Sequence, residues 1–88
     1  MALDRLTDSV LTVVRTYRQR SAAFDRGQRD CAPLSQALVS VEGLWISYNQ
    51  RKPRDITLDA QRATRDQSLY AQVDTVESHF DASACPRP

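Results

Sequence analysis

The sequence predicts an all-α protein, an antiparallel three-helix bundle that runs up, down and up and is closed by one disulfide. In three successive segments the apolar residues recur three or four positions apart, which is the period of an amphipathic helix rather than of a strand. Short stretches that contain glycine or proline separate these segments. At 88 residues, the chain is expected to form a single helical domain over 1–88.

The first helix is predicted over about 3–26. Asp4 and Asp8 lie near its start and arginines near its end, so both signs of charge complement the helix macrodipole. Gly27 follows the last apolar residue and is a typical terminator. Arg20 is the one gap in an apolar stripe formed by Leu3, Leu6, Val10, Val13, Val14, Tyr17 and Phe24.

The second helix is predicted over about 33–50 and holds the only tryptophan. Asp30 or the residues just after it should cap its start, and Pro33 is tolerated in a first helical turn. Pro53 restricts the residue before it to extended angles, so the helix must end nearby. Its apolar face consists of Leu34, Ala37, Leu38, Val41, Leu44, Trp45 and Tyr48.

The third helix is predicted over about 56–84, and a loose tail is expected over 86–88, because proline cannot extend a helix. Arg62 and Asp66 occupy positions of its stripe where apolar residues are expected. Either this turn is solvated at an open end of the bundle, or the pair makes a polar contact that fixes the register of the helix. The stripe itself consists of Leu58, Leu69, Val73, Val76, Phe80 and Ala84, with Tyr70 alongside.

The two cysteines are predicted to form a disulfide. Cys31 lies just before the second helix and Cys85 just after the third, and an up-down-up bundle brings these positions to the same end. A bridge implies an oxidising compartment, so we expect a protein outside the cytoplasm, periplasmic or secreted. Two inert thiols in a cytoplasmic protein are the alternative. Lys52 is the only lysine among 12 basic residues, which suggests a GC-rich coding sequence and a bacterial source.

Motifs for catalysis or cofactor binding are absent from the sequence, so we expect no enzyme, no cofactor and no metal site. His79, the only histidine, is interpreted as solvent-facing. The formal net charge of +1 is too small to attract nucleic acid, and the basic cluster at 51–54 is interpreted as cations at a helix C-terminus. We expect no membrane insertion, because no continuous apolar run reaches the roughly 18 residues of a spanning helix.

Acidic residues form a flank near the end of the third helix, at Asp74, Glu77 and Asp81. Arg26 and Arg29 should lie at the same end of the bundle. We interpret this arrangement as a balance of surface charge, which contributes little to stability.

The back of the second helix is unusual, because its solvent side lacks charge. Val39, Gly43 and Ile46 lie opposite the apolar stripe, and Glu42 at the margin is the one charged residue. Glycine within a helix costs about 1 kcal/mol relative to alanine, which is easier to understand if another backbone approaches there. Ser35 and Gln50 lie at the border of this face, as do Gln36, Ser40 and Ser47.

The sequence therefore predicts a non-enzymatic module of an exported bacterial protein that binds a partner protein or a second copy of itself through helix two. A neutral surface without a partner is the competing interpretation, since isolated exposed Val and Ile are common. A bundle that binds a small ligand or a metal, in its core or at the cysteine end, is the alternative function.

Overall fold

Three helices pack against one another in a computed structural model that describes residues 2–27, 30–52 and 60–88, without the side chains of residues 2 and 3. They are α1 (Ala2–Asp25), α2 (Cys31–Arg51) and α3 (Ala60–Ala82). The described residues contain no strand. The all-α, three-helix prediction is confirmed, and its antiparallel order follows from the contact between the start of α2 and the chain just after α3.

The helix ends follow from local chemistry. Gly27 adopts a φ of 118°, which glycine reaches without a steric penalty, and α1 ends two residues before it. An Asp30 carboxylate oxygen accepts a hydrogen bond from the Ala32 backbone N–H at 3.1 Å, as expected of an N-cap. Lys52, which precedes a proline, is extended with a ψ of 143° and ends α2.

Some predicted features fall outside the described residues. These are the first residues of the predicted third helix, 56–59, together with Leu58 of its stripe and Pro53 of the preceding turn. The side chain of Leu3 is also outside them.

The core is a single apolar cluster drawn from all three helices. Leu6, Val13, Leu44 and Trp45 of the predicted stripes pack against its edge and are partly buried. Ala84 of the predicted third stripe is exposed, because α3 ends at Ala82. The buried residues are Val10, Val14, Tyr17, Phe24, Leu34, Ala37, Leu38, Val41, Tyr48, Leu69, Val73, Val76, Phe80 and Cys85.

Polar residues in the predicted apolar stripes join neighbouring helices. The Arg20 guanidinium donates to the backbone carbonyl of Pro33 at 3.0 Å, which ties α1 to the first turn of α2. Lys52 Nζ lies 3.0 Å from an Asp66 carboxylate oxygen. Burial raises the pKa of Tyr48, and the interaction of Asp66 with the Tyr48 hydroxyl raises it further. Of the two interpretations of the polar turn in α3, the structure supports a polar contact between helices.

A disulfide joins Cys31 to Cys85, with a distance of 5.7 Å between their Cα atoms. It connects the first turn of α2 to the chain just beyond α3. The two cysteines are 54 positions apart in the sequence, and Cys31 is the first residue of α2, so the bridge closes all of α2 and all of α3 into one loop.

A residue in the left-handed conformation follows the end of α3. Ala84 has a φ of 62°, in the left-handed region that usually holds glycine at the end of a helix. The tail 86–88 is not helical, as expected, but it is tied to the bundle by the Arg87 guanidinium, which pairs with Glu42 and Asp81 at 3.2 Å each.

Removing the disulfide with Cys31→Ala and Cys85→Ala should lower the free energy of unfolding by about 4 kcal/mol. The reason is that the unfolded chain regains the conformational entropy of a long loop. Urea titrations of the variant and of the oxidised parent measure the difference. Equal midpoints and slopes for the two proteins would contradict the assignment of this bridge as the main constraint on the unfolded chain.

Ala84→Gly should raise the free energy of unfolding by roughly 0.5–1 kcal/mol, because glycine adopts a left-handed conformation without the steric penalty of a Cβ. Gly27→Ala is the converse substitution and should lower the free energy of unfolding, since the φ of Gly27 is also positive. Thermal unfolding of both variants tests the pair. A stabilising Gly27→Ala or a destabilising Ala84→Gly would show that the backbone conformations at these turns are wrong.

Candidate interaction surface

The outer face of α2 carries apolar side chains that point away from the core. Val39 is 52% exposed and Ile46 is 57% exposed. Gly43 lies between them along the helix, and a Cβ added at this position would meet no atom within 4 Å. The structure therefore places the three central residues of the predicted interaction face on the solvent side, with open space above the glycine.

Neutral polar residues border this face. Gln36 and Ser40 are exposed and Ser47 is half-buried. The Ser40 hydroxyl donates to the carbonyl of Gln36 at 3.3 Å, and the Ser47 hydroxyl donates to the carbonyl of Gly43 at 3.2 Å. Both hydroxyl protons are thus used within the helix, so the border adds no charge and little unsatisfied polarity to the face.

The apolar surface continues from α2 onto α3 through three aromatic rings. The half-buried Trp45 stacks on Tyr48 with ring centroids 5.4 Å apart, and Tyr70 of α3 lies 6.4 Å from Trp45. Tyr70 is 61% exposed, and with Val39 and Ile46 it completes the set of large exposed hydrophobic side chains in the described part of the chain. The sequence placed Tyr70 beside a helical stripe but gave no sign that it meets Trp45.

Acidic residues from both helices lie along the line where α2 packs against α3, which we call the groove between α2 and α3. Glu42 of α2 lies near Asp74, Glu77 and Asp81 of α3, and we call these four residues the acidic cluster. Partial burial raises the pKa of Glu77, and the negative charge of Glu42 raises it further, while Arg87 opposes the shift. Arg87 pairs with Glu42 and Asp81 of the cluster. Of the two arginines predicted to balance this charge, Arg26 and Arg29, the second lies outside the described residues.

His79 contacts two residues of α1, so the interpretation of this side chain as solvent-facing was wrong. Its Nδ1 atom lies 2.8 Å from the Tyr17 hydroxyl, and its Nε2 atom lies 3.2 Å from both carboxylate oxygens of Asp25. A neutral imidazole protonated on Nε2 donates to Asp25 and accepts from Tyr17. Position 79 comes three residues after the buried Val76, on the flank of α3 against which α1 packs. The sequence held one indication of this contact: Tyr17 lies in the predicted apolar stripe, and a buried tyrosine hydroxyl needs a hydrogen-bond partner.

The order carboxylate, imidazole, hydroxyl is also found in catalytic relays, but its surroundings here oppose catalysis. Tyr17 is only 1% exposed, which closes its hydroxyl to a substrate. Burial, followed by the negative charges of Asp25 and Asp81, raises the pKa of Tyr17 to about 12. An activated nucleophile has a lowered pKa and an accessible position, and the Tyr17 hydroxyl has neither. Its hydrogen bond with His79 links α1 to α3.

One further groove lies between α1 and α3. It has a volume of about 330 Å³ and is lined by Asp4, Thr7, Asp8, Leu11, Arg65, Ser68 and Leu69. Within residues 2–27, 30–52 and 60–88, no three metal-ligating side chains converge, and both cysteine sulfurs are in the disulfide. None of the helices described is both long and apolar enough to cross a membrane.

Comparison with known proteins adds no relative: no protein-family model, no curated protein and no solved structure matches this chain. The surface of the bundle is therefore the basis on which a function can be proposed.

Stability should fall at alkaline pH because two buried tyrosines resist ionisation. Burial is the main cause that raises the pKa of Tyr17 and of Tyr48 from 10.0 to about 12. The stability that comes from keeping these hydroxyls neutral is fully present below the unfolded pKa of 10 and is lost as the pH rises through about 12, because the unfolded chain ionises first. Each tyrosine accounts for a decrease in the free energy of unfolding on the order of 2–3 kcal/mol.

Tyr17→Phe tests the sign of this effect. The variant should be less stable than the parent at pH 8 by about 1 kcal/mol, because the hydrogen bond to His79 is lost. Between pH 10 and 12 its stability should fall less steeply than that of the parent. Urea midpoints at four pH values measure both effects, and identical slopes above pH 10 would contradict the burial of this hydroxyl.

Proposed function

We propose that this protein is a non-enzymatic helical interaction module that contacts another protein chain through the outer face of α2. The observation that supports the proposal is the joint exposure of Val39 and Ile46 on one side of a helix that is buried on the other. If a partner covered the exposed half of each side chain, each residue would contribute about 1 kcal/mol to the free energy of binding.

The spacing of the face suits another helix. The residues at 36, 39, 43, 46 and 50 are separated by alternating intervals of three and four, which is the spacing of a helix–helix seam. Gly43 at the centre lets a second backbone approach closely, which gives a reason for glycine within a helix. From 36 to 50 the seam is roughly 21 Å long at about 1.5 Å per residue.

This seam is small for a stable complex, because a standard interface buries about 800 Å² on each partner. A partner seated on α2 would have to use neighbouring surface as well. Tyr70 supplies it, since Trp45 connects its ring to α2. The proposed contact surface therefore includes the groove between α2 and α3.

The disulfide supports a location for this function. Structural disulfides persist in oxidising compartments and are rare in the cytosol. We propose that the module works outside the cytoplasm, in the periplasm or after secretion from a bacterium, where the bridge between Cys31 and Cys85 is maintained.

Charges introduced on the face should abolish association. In Gly43→Arg with Ile46→Glu, one cation and one anion are added to the seam, and desolvating them opposes contact with a partner. Gln19→Arg with Ala22→Glu adds the same charges to the exposed side of α1 and is the matched control. Light scattering behind size exclusion over a concentration series measures self-association, and affinity capture measures binding to other proteins.

The expected result is that the α2 variant loses a dimer, or loses captured proteins, that both the parent and the α1 variant retain. An α2 variant that matches the parent in assembly state and in every captured protein would show that this face is not the contact surface.

A further inference from the structure

We infer that the partner is a basic amphipathic segment of another protein, with apolar side chains against Val39, Ile46 and Tyr70 and arginine or lysine side chains against the acidic cluster. This inference rests on the proposed function and specifies the chemistry of what binds. The segment would be helical when bound, because the seam on α2 has the spacing of a helix–helix contact.

The apolar and acidic residues alternate along the same edges of the groove. On α2, Glu42 follows Val39 by three positions and precedes Ile46 by four, so the three side chains are neighbours on one side of the helix. On α3, Tyr70 is followed four positions later by Asp74 and seven positions later by Glu77. A ligand that covers the exposed apolar groups must therefore pass over carboxylates from both helices.

The negative charge of the groove is only partly balanced. Glu42, Asp74 and Asp81 all raise the pKa of Glu77, which means that like charges act on one another across the groove. Arg87 is the one cation that acts on Glu77 in the opposite direction. Cations from a partner would relieve this repulsion, whereas a neutral or acidic partner would leave it unchanged or increase it.

The contacts of Arg87 show that the groove binds a guanidinium group. Its Nη1 atom lies 3.2 Å from a carboxylate oxygen of Glu42, and its Nη2 atom lies 3.2 Å from a carboxylate oxygen of Asp81. One guanidinium thus bridges α2 and α3 on the outside of the bundle. Because Arg87 lies outside the helices, two residues beyond Cys85, an arginine of the partner can replace it without any change in the helices. The tail acts as an internal competitor for the same site.

A second copy of the chain is a poorer occupant of this groove. A two-fold interface places the same patch of each copy against the other. Such an interface over α2 and α3 would bring two acidic clusters together, and like charges placed opposite each other disfavour association. The charge of the groove therefore favours a different chain with the opposite charge.

Three synthetic amphipathic peptides of equal length test the inference. They share the same leucine positions and carry arginine and lysine, glutamine, or glutamate on the polar side. Trp45, the only tryptophan, lies in the groove and reports binding by its fluorescence. We expect the basic peptide to bind, with a Kd that increases with salt, and the neutral and acidic peptides to bind at least tenfold more weakly.

Variants assign the binding to the groove. Glu42→Gln with Glu77→Gln should weaken the basic peptide about tenfold, whereas Asp4→Asn with Asp8→Asn removes the same charge from α1 and should leave its Kd unchanged. Arg87→Gln should tighten binding about threefold or more, because the internal competitor is removed. Circular dichroism of each variant confirms that the bundle remains folded.

Each other outcome overturns the inference. Equal binding of the three peptides on the α2 face would reject the basic partner while leaving that face as a contact surface. Failure of the basic peptide to bind would reject it as well. A dimer of the parent that Gly43→Arg with Ile46→Glu dissociates would make a second copy the occupant, so the inference would fail although the proposed function stands.

Discussion

The attachment of α3 is the constraint on which the rest of this structure depends. α3 buries only Leu69, Val73, Val76 and Phe80, and the last three lie in the half of the helix that leads to the disulfide. The covalent bond fixes the end of α3 beside the start of α2, and the contact of His79 with Asp25 joins the same end to α1. At the opposite end, the ion pair of Lys52 with Asp66 holds α3 against the last turn of α2. The position of α3 is thus set at both ends by bonds that are not apolar packing.

The candidate surface is a consequence of that position. With α3 held alongside α2, Tyr70 reaches Trp45, and Glu77 comes close enough to Glu42 for their charges to interact. A shift of one helical turn along α3 would be about 5.4 Å and would separate both pairs. The same bonds that stabilise the bundle therefore decide which apolar and acidic groups share a groove. The binding surface and the fold are linked through the register of a single helix.

Features that depend on one helix, on one turn or on the order of the helices could be predicted from the sequence, while the side-chain contacts on the flanks of the helices could not. The period of the apolar residues predicted the three helices, Asp30 and Gly27 predicted helix ends, and the topology predicted the disulfide. The exposed apolar residues of α2 followed in the same way from their position opposite a buried stripe. The period of the apolar residues shows which side of a helix is buried, but it does not show which neighbouring helix packs against each flank. The roles of His79 and Arg87 therefore appear only in three dimensions.

Binding through the outer face of α2 requires that Val39 and Ile46 are open to solvent in the free protein. A soluble paramagnetic probe added to the methyl-labelled protein tests this requirement, because it broadens the NMR signals of accessible methyl groups. We expect strong broadening for Val39 and Ile46 and little for Val41 and Leu38, which are fully buried in the same helix. Protection of Val39 and Ile46 equal to that of Val41 and Leu38 would contradict binding through this face, since the face would then already be covered in the free protein.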